Sequence, residues 1–103
     1  KLAESFDSEG EQDRSVEALR RLLALNPESV GARRMLIVQL RERGEVAEAV
    51  AHLHAMADQH RAERGPAGEA DALDAEREAV QVDPADPDSR RRLVESLIRA
   101  GRL

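Results

Sequence analysis

The segment Gly10-Glu-Gln-Asp-Arg-Ser-Val-Glu-Ala-Leu19 aligns without a gap to Gly44-Glu-Val-Ala-Glu-Ala-Val-Ala-His-Leu53, 34 residues further along the chain. Self-similarity at a fixed period of roughly 20–50 residues is typical of helical-repeat architectures. Apolar residues recur at three- and four-residue spacing, which is the period of an amphipathic helix. No segment alternates apolar and polar residues as a half-buried strand does. The repeat therefore predicts an all-α protein built from stacked antiparallel helices.

A second phrase is repeated at a wider spacing. Ala32-x-x-Met-Leu36-x-x-x-Leu40-x-x-x-Gly44 returns as Ser89-x-x-Arg-Leu93-x-x-x-Leu97-x-x-x-Gly101. Each copy follows a proline, which disfavours helix in the residue before it. Each copy also ends in glycine, the residue that most easily takes the left-handed conformation closing a helix. Each copy therefore predicts a separate helix that is bounded by proline and glycine.

Local start and stop signals mark the remaining boundaries and give about five to six helices. A helix is expected from about Asp13 to Leu25, and Ser29 can cap the next one. One long helix is expected from Glu45, because nothing breaks the pattern before Gly65-Pro66. Further helices are expected at 69–82 and after Asp86, where Pro87 suits the first helical position. The stripes predicted to be buried are Val16, Leu19, Leu22 and Leu23; Ala32, Met35, Leu36 and Leu40; Val46, Ala49, Val50, Leu53, Met56, Ala57 and His60; and Ala72, Leu73, Ala79 and Val80. The apolar stripe of the last helix is Leu93, Val94, Leu97 and Ile98.

Composition excludes several classes of protein. The 103 residues include 36% charged and 41% apolar side chains, no cysteine, and Phe6 as the one aromatic residue. Disulfide frameworks and thiolate chemistry are therefore excluded. The net charge of −5 argues against nonspecific binding to nucleic acid or anionic membranes. No apolar run approaches the roughly 20 residues of a membrane span. We expect a cytoplasmic location and, since the sequence opens on Lys1, a fragment of a longer protein.

The spacing of these residues resembles the tetratricopeptide repeat (TPR). Several positions match residues that the family pattern conserves, namely Leu2, Leu36 and Leu93; Phe6, Leu40 and Leu97; Ala49; Leu19 and Leu53; and Pro27 and Pro84. The resemblance implies antiparallel helix pairs stacked in a right-handed superhelix. It divides this single domain into repeats at about 1–28, 29–58, 59–86 and 87–103, the third irregular and the last truncated.

The chain departs from the family pattern in three ways. Arginine takes the tryptophan site at positions 33 and 90, and Ile37 and Val94 take the site of a small residue. Pro27 and Pro84 lie 57 residues apart, about eleven short of two full repeats. The simplest account is that two helices fuse through Ala57-Asp-Gln-His60. Loss of one chain reversal would move the following helix to the other layer and make the array irregular after residue 58.

The resemblance implies a binding groove on the concave face of the array. By the repeat frame its lining residues are Arg34, Val38, Arg41, Glu42, Arg91, Glu95 and Arg99, with Glu4 and Asp7 in the first repeat. Arginine forks suit carboxylates, so a groove that binds an acidic peptide is one hypothesis. The alternative is that these side chains are solvated charges partly paired with one another. The family's clamp for C-terminal carboxylates needs asparagine where this chain has Val38, and that activity is not expected.

Residues suited to other chemistry are poorly placed. His52, His54 and His60 share one helix at spacings of two and six residues, whereas chelation along a helix needs three or four. The loop Gly65-Pro-Ala-Gly68 lacks the lysine and hydroxyl residue of a phosphate-binding loop. No nucleophile stands near a base in any recognised pattern. We expect no enzyme activity, no metal and no cofactor.

The predicted function is therefore a non-catalytic scaffold that binds a peptide or helix of another protein, as in bacterial-type signalling or assembly systems. Two alternatives stay open. The chain is a spacer that self-associates, or a regulatory array attached to an enzyme elsewhere in its parent protein. Self-association is suggested by the expected exposure of Leu93, Leu97, Ile98 and Leu103 at the end of the array, and by an acidic N-terminal and basic C-terminal region.

Overall fold

A computed structural model describes the backbone of residues 2–101 and the side chains of residues 10–101. This part of the chain is all-α and contains no strand, which confirms the all-α part of the predicted fold. The helices are α1 (Leu2–Leu25), α2 (Val30–Glu42), α3 (Val46–Arg64), α4 (Glu69–Val82) and α5 (Pro87–Arg99). A short 3-10 turn, Gly65–Gly68, joins α3 to α4.

Local sequence signals set most of these boundaries. The Ser29 hydroxyl accepts a hydrogen bond from the Ala32 amide at 3.3 Å and caps α2. Gly44, with φ of +76°, closes the same helix. Gly10, the equivalent of Gly44 in the 34-residue repeat, lies inside α1 instead. The helix predicted from Asp13 therefore begins at least eleven positions earlier, at Leu2.

Successive helices run antiparallel. In α1 and α2, Ser15 lies beside Gln39 at 2.8 Å and Asp13 lies beside Arg43 at 3.0 Å, so the residue numbers rise on one helix as they fall on the other. Between α2 and α3, the Gln59 amide donates to the Glu28 carbonyl at 2.6 Å, and Arg33 contacts His52 at 2.9 Å. The long helix expected after Glu45 is present as α3, with no reversal near Ala57.

Helices two apart in the chain also touch. Three side-chain pairs join α3 to α5: His54–Ser89, Asp58–Arg92 and Arg61–Ser96, with sequence offsets of 35, 34 and 35 residues. A nearly constant offset means that α3 and α5 are parallel neighbours. Arg34 of α2 similarly reaches Glu78 of α4 at 2.7 Å. The helix α5 therefore lies beside α3, although its sequence phrase matches that of α2.

The buried core follows the predicted stripes in most positions, but Leu22 in α1 and Val46 in α3, predicted to be buried, are 45% and 36% exposed. Met35, predicted to be buried, is 57% exposed, and its neighbour Ile37 is fully buried instead. In α4 the charged residue Glu76 is buried with the alanines. In α5 the buried residues are Ser89 and Ser96, and the apolar stripe of this helix is exposed or partly buried. The core members are Val16, Leu19, Leu23, Ala32, Leu36, Ile37, Leu40, Ala49, Val50, Leu53, Met56, Ala57, Ala72, Leu73, Ala75 and Ala79.

The molecule is elongated. Its Cα radius of gyration is 15.5 Å and its principal extents are 53 × 30 × 15 Å. A compact domain of this length would have a radius of gyration of about 13 Å. Helices that pack mainly on their sequence neighbours produce such a shape. Over residues 2–101, no helix combines the length and apolarity that crossing a bilayer requires.

Candidate protein-interaction surfaces

The predicted groove residues on α2 lie on or beside its outer face. Arg34 and Arg41 converge on the carboxylate of Glu78 in α4, at 2.7 and 3.4 Å. Val38 is 47% exposed and lines a shallow depression of about 350 Å³ with Arg41 and Glu42. The structure therefore brings the four predicted residues of α2 to one side of the helix, with Glu78 holding its two arginines.

Sequence reasoning missed Met35 as a member of this surface. Its side chain is 57% exposed and lies one helical turn from Val38. The signal that could have revealed it is the helical angle, since Met35 and Val38 project away from Leu36 and Leu40. We call Met35, Val38 and Glu42, with the flanking Arg34 and Arg41, the α2 face.

The predicted groove residues on α5 lie elsewhere. Arg91 contacts Asp88 at 3.2 Å and Glu95 at 3.8 Å, both within its own helix. Arg99 donates to Ser96 at 3.0 Å and borders a cavity of about 570 Å³. Within the described side chains, no hydrogen bond or ion pair joins these residues to the α2 face. Glu4 and Asp7 lie outside the described side chains.

A buried ion-pair cluster joins α3, α4 and α5. Both carboxylate oxygens of Glu76, a residue 1% exposed, accept hydrogen bonds from Arg61, at 3.0 and 2.8 Å. The Ser96 hydroxyl donates to the same carboxylate, and Arg92 approaches it at 3.5 Å. Arg61 also donates to Glu69 at 3.1 and 3.0 Å. The hydrogen bonds to Glu76 and Glu69 raise the pKa of Arg61, and Arg61 lowers the pKa of Glu69.

This cluster holds helices together and does not have the features of a catalytic centre. Each oxygen of Glu76 already accepts from a donor, so no lone acceptor points to an open space. Arg61 and Glu69 border the 570 Å³ cavity, as does Arg99, whereas Glu76 does not. A buried charge without its partner would cost several kcal/mol, so the docking geometry of α5 on α4 is tightly specified.

A second polar chain joins α3 to the start of α5. The Ser89 hydroxyl donates to Asp86 at 2.7 Å, and His54 Nε2 lies 3.0 Å from the same oxygen. Because the one hydroxyl proton goes to Asp86, the His54 nitrogen must be the donor of its contact. Burial, together with the charge of Arg92, lowers the pKa of His54, and the Ser89 hydrogen bond lowers the pKa of Asp86.

These three residue types also form catalytic triads, but here their order differs. In a hydrolase the histidine lies between the serine and the carboxylate, and accepts the hydroxyl proton. Here the serine is in the middle, donates to the carboxylate, and is fully buried. A serine so placed has no access to a substrate and no base to activate it. The arrangement instead links Asp86, the residue before α5, to the first turn of that helix and fastens α5 to α3.

His52 is also held by protein groups. Arg33 donates to His52 Nδ1 at 2.9 Å, and Glu48 lies 3.6 Å from the other ring nitrogen. Burial and the nearby Arg33 charge lower the pKa of His52. Glu48 is itself bound to Arg20 at 2.6 Å, which lowers the pKa of Glu48. Among the described residues, no group of three or more potential ligands is arranged to hold a metal ion.

The end of the array presents an apolar surface on α5. Ile98 is 60% exposed and Val94 is 47% exposed, while Leu93 and Leu97 are partly buried. The predicted exposure of this stripe therefore holds for Ile98 and is overstated for Leu93 and Leu97. Leu103 lies outside the described residues. We call Val94 and Ile98, with Arg90 and Arg91 beside them, the α5 flank.

Comparison with protein-family models, with curated proteins and with solved structures gave no significant match to this chain.

Proposed function

We propose that this chain is a non-catalytic protein-interaction module that binds a peptide or helix of another protein on the α2 face. The observation that carries the proposal is the pair of exposed apolar side chains Met35 and Val38, set beside arginines that Glu78 already holds in place. Apolar anchors with a fixed polar border are the usual composition of a binding site for another protein.

The arginines determine which partner such a face would prefer. Arg34 and Arg41 share one carboxylate, so the three side chains together carry a net positive charge. An acidic segment would bind the guanidinium donors that Glu78 leaves free, and it would compete with Glu78 for the others. Since Glu78 also reduces the side-chain entropy that binding would cost, the arginines favour the orientation of an acidic partner more than its affinity.

The proposal extends to the architecture and setting of the module. We propose that the helices form a TPR-like array with a right-handed superhelical course, which is supported by the 34-residue repeat and the elongated shape. The shortened spacing after α2 is the reason that α5 lies beside α3 rather than in register with α2. A cytoplasmic setting is in keeping with the absence of cysteine.

The test is a selection of displayed random peptides against the 103-residue chain, followed by affinity measurements on charge-reversed variants. We expect selected peptides to bind Val38→Glu and Arg41→Glu at least about tenfold more weakly than the original chain, equivalent to about 1.4 kcal/mol. The matched control is Arg77→Glu, a charge reversal at an exposed site of α4. If Arg77→Glu weakens binding as much as Arg41→Glu, the α2 face is not the binding site.

Self-association is a second candidate function, favoured by exposed apolar side chains at both ends of the described array. Leu25 at the end of α1 is 86% exposed, and Ile98 on α5 is 60% exposed. Sedimentation velocity over a hundredfold concentration range would detect such an association. A single monomeric species at every concentration would remove this candidate and leave the α2 face as the remaining proposal.

A further inference from the structure

Few side chains of this protein are easily oxidised. The sequence contains no cysteine, tryptophan or tyrosine, and its two methionines are Met35 and Met56. A methionine thioether takes up one oxygen atom to become a sulfoxide. Met35 is 57% exposed, whereas Met56 is 3% exposed. Because a dissolved oxidant must reach the sulfur from solvent, we expect Met35 to react well before Met56.

Met35 can be oxidised without disturbing the packing of its helix. The residues that bury α2 in the array are Ala32, Leu36, Ile37 and Leu40. Met35 does not belong to this set, so a polar group at its sulfur leaves the contacts of α2 with its neighbours in place. Oxidation at this position should therefore alter the surface of the protein and spare its fold.

The same reaction has a direct effect on the α2 face. Met35 and Val38 lie one helical turn apart and are the exposed apolar side chains on which the proposed binding site is built. A sulfoxide carries a polar S–O group that must lose water when an apolar side chain of a partner covers it. The thioether packs against apolar groups without that cost. Oxidation therefore removes one of the two apolar anchors.

We infer that Met35 is an oxidation site that controls the binding of a partner to the α2 face, with the thioether as the binding form and hydrogen peroxide as the oxidant. The sulfur lone pair attacks one peroxide oxygen, the O–O bond breaks, and the released hydroxide takes the proton of the transferred hydroxyl and leaves as water. Sulfur loses two electrons and the peroxide gains them. Methionine sulfoxide reductases reverse the change. The inference rests on the proposed function and adds its regulation.

The burial of Met56 determines how selective this response is. Met56 belongs to the apolar core and lies on α3. A sulfoxide in a core disrupts packing, so oxidation of Met56 would destabilise the protein. Its burial protects it while the chain is folded, and mild oxidation therefore changes the α2 face before it changes the fold. The α5 flank carries no sulfur, so peroxide leaves its apolar residues unchanged.

The first measurement needs no partner. The 103-residue chain is treated with hydrogen peroxide for increasing times and digested, and mass spectrometry follows the gain of one oxygen atom at each methionine. We expect Met35 to be oxidised at least about tenfold faster than Met56. Urea unfolding of the chain oxidised at Met35 should match that of the untreated chain. Equal rates at the two methionines, or loss of the fold on oxidation of Met35, would overturn the inference.

The second measurement uses a fluorescent peptide that is selected by display against the untreated chain. We expect the chain oxidised at Met35 to bind this peptide at least about tenfold more weakly, and treatment with a methionine sulfoxide reductase and dithiothreitol to restore binding. Met35→Leu and Met56→Leu are matched variants, each compared with itself before and after peroxide. Peroxide should not change the affinity of the first and should weaken the second as it weakens the original chain. Equal losses in both variants would contradict the assignment to Met35.

The binding data also separate this inference from the proposed function. If Val38→Glu weakens the selected peptide but oxidation of Met35 does not, the proposed function stands and only the inference fails. If no displayed peptide binds the α2 face, both fail together, whatever the rates of oxidation.

Discussion

At the level of single residues, Glu76 is the charged side chain whose loss we expect to lower stability most. It lies inside the helical array, 1% exposed, with Arg61, Arg92 and Ser96 around it. A buried ion pair does not by itself prove stabilisation, because desolvation of both charges offsets their attraction. Loss of one partner is different, since it leaves the other charge buried without compensation.

We therefore predict that Glu76→Gln lowers the free energy of unfolding by about 3 kcal/mol. This is the lower end of the range for a broken buried pair, because Arg61 keeps its hydrogen bonds to Glu69. Urea denaturation would measure the change. Asp74→Asn, an exposed carboxylate on the same helix, should change stability by less than about 0.5 kcal/mol. Equal effects of the two substitutions would contradict the assignment of Glu76 as a buried partner.

His54 should make stability depend on pH. Burial holds its pKa in the folded protein below the ordinary value of 6.5. As the pH falls below that value, the unfolded chain takes up the proton first, so protonation favours unfolding. The stability that neutral His54 contributes is complete above pH 6.5 and is lost as the solution is acidified towards the folded-state pKa. The pKa of His52 is also lowered, so His52 contributes to the same loss of stability below pH 6.5.

The variant His54→Gln tests this expectation, because glutamine can still donate to Ser89 but does not titrate. Unfolding by urea at pH 8 and pH 5.5 would be compared for both proteins. The original chain should lose more stability on acidification than the variant does. The carboxylates Glu48 and Glu69 have lowered pKa values and respond only below about pH 4.5, outside this interval. Identical losses in the two proteins would rule out His54 as the titrating group.

At the level of elements, two glycines at the starts of helices should respond in opposite ways, because Gly68 is buried and Gly31 is exposed. A Cβ added at Gly68 would lie 2.1 Å from the carbonyl oxygen of His60, where α4 begins against the end of α3. A Cβ added at Gly31 in α2 would meet no atom within 4 Å. Close backbone approach therefore requires glycine at position 68, whereas at position 31 glycine only adds flexibility to the unfolded chain.

We predict that Gly68→Ala destabilises the protein by about 1–3 kcal/mol through overpacking, and that Gly31→Ala stabilises it by about 0.5–1 kcal/mol. Thermal and urea unfolding of both variants would measure these changes. The two substitutions are chemically identical, so each serves as the control for the other. A neutral Gly68→Ala would show that the turn between α3 and α4 relaxes to admit a methyl group.

Elements were predictable where a local signal fixes them. Ser29, Gly44 and the segment 69–82 were assigned correctly, because capping and backbone conformation act over a few residues. Gly10 gave the same signal as Gly44 but lies inside a helix, since glycine permits a turn without requiring one. The choice between the two depends on neighbouring helices, which a local pattern does not contain.

The faces of helices were harder to predict than their ends. Met35 and Ile37 are both apolar and flank the Leu36–Leu40 stripe on opposite sides, and Ile37 is the buried one. In α5, no pattern in the sequence predicts that serines are the buried residues. The buried side chains are serines, because α5 meets the charged residues Arg61 and Glu76 of α3 and α4. The predicted site residues of α2 and those of α5 do not form one surface, because α5 packs beside α3.

At the level of the whole molecule, stability should decline towards α5. The helix α3 contacts α2, α4 and α5, and its buried residues are apolar. The helix α5 packs mainly on α4, and the residues that it buries fully are Ser89 and Ser96. In an array whose helices interact mainly with near neighbours, such an end opens without the rest unfolding.

Native-state hydrogen exchange should therefore show amides of α5 opening at a lower free energy than amides of α3, by about 1–3 kcal/mol. The variant Glu76→Gln should widen this gap, because it removes the carboxylate that Ser96 and Arg92 contact. Asp74→Asn should leave the gap unchanged. An α5 that exchanges only with global unfolding would show that its polar contacts hold it as firmly as the apolar core holds α3.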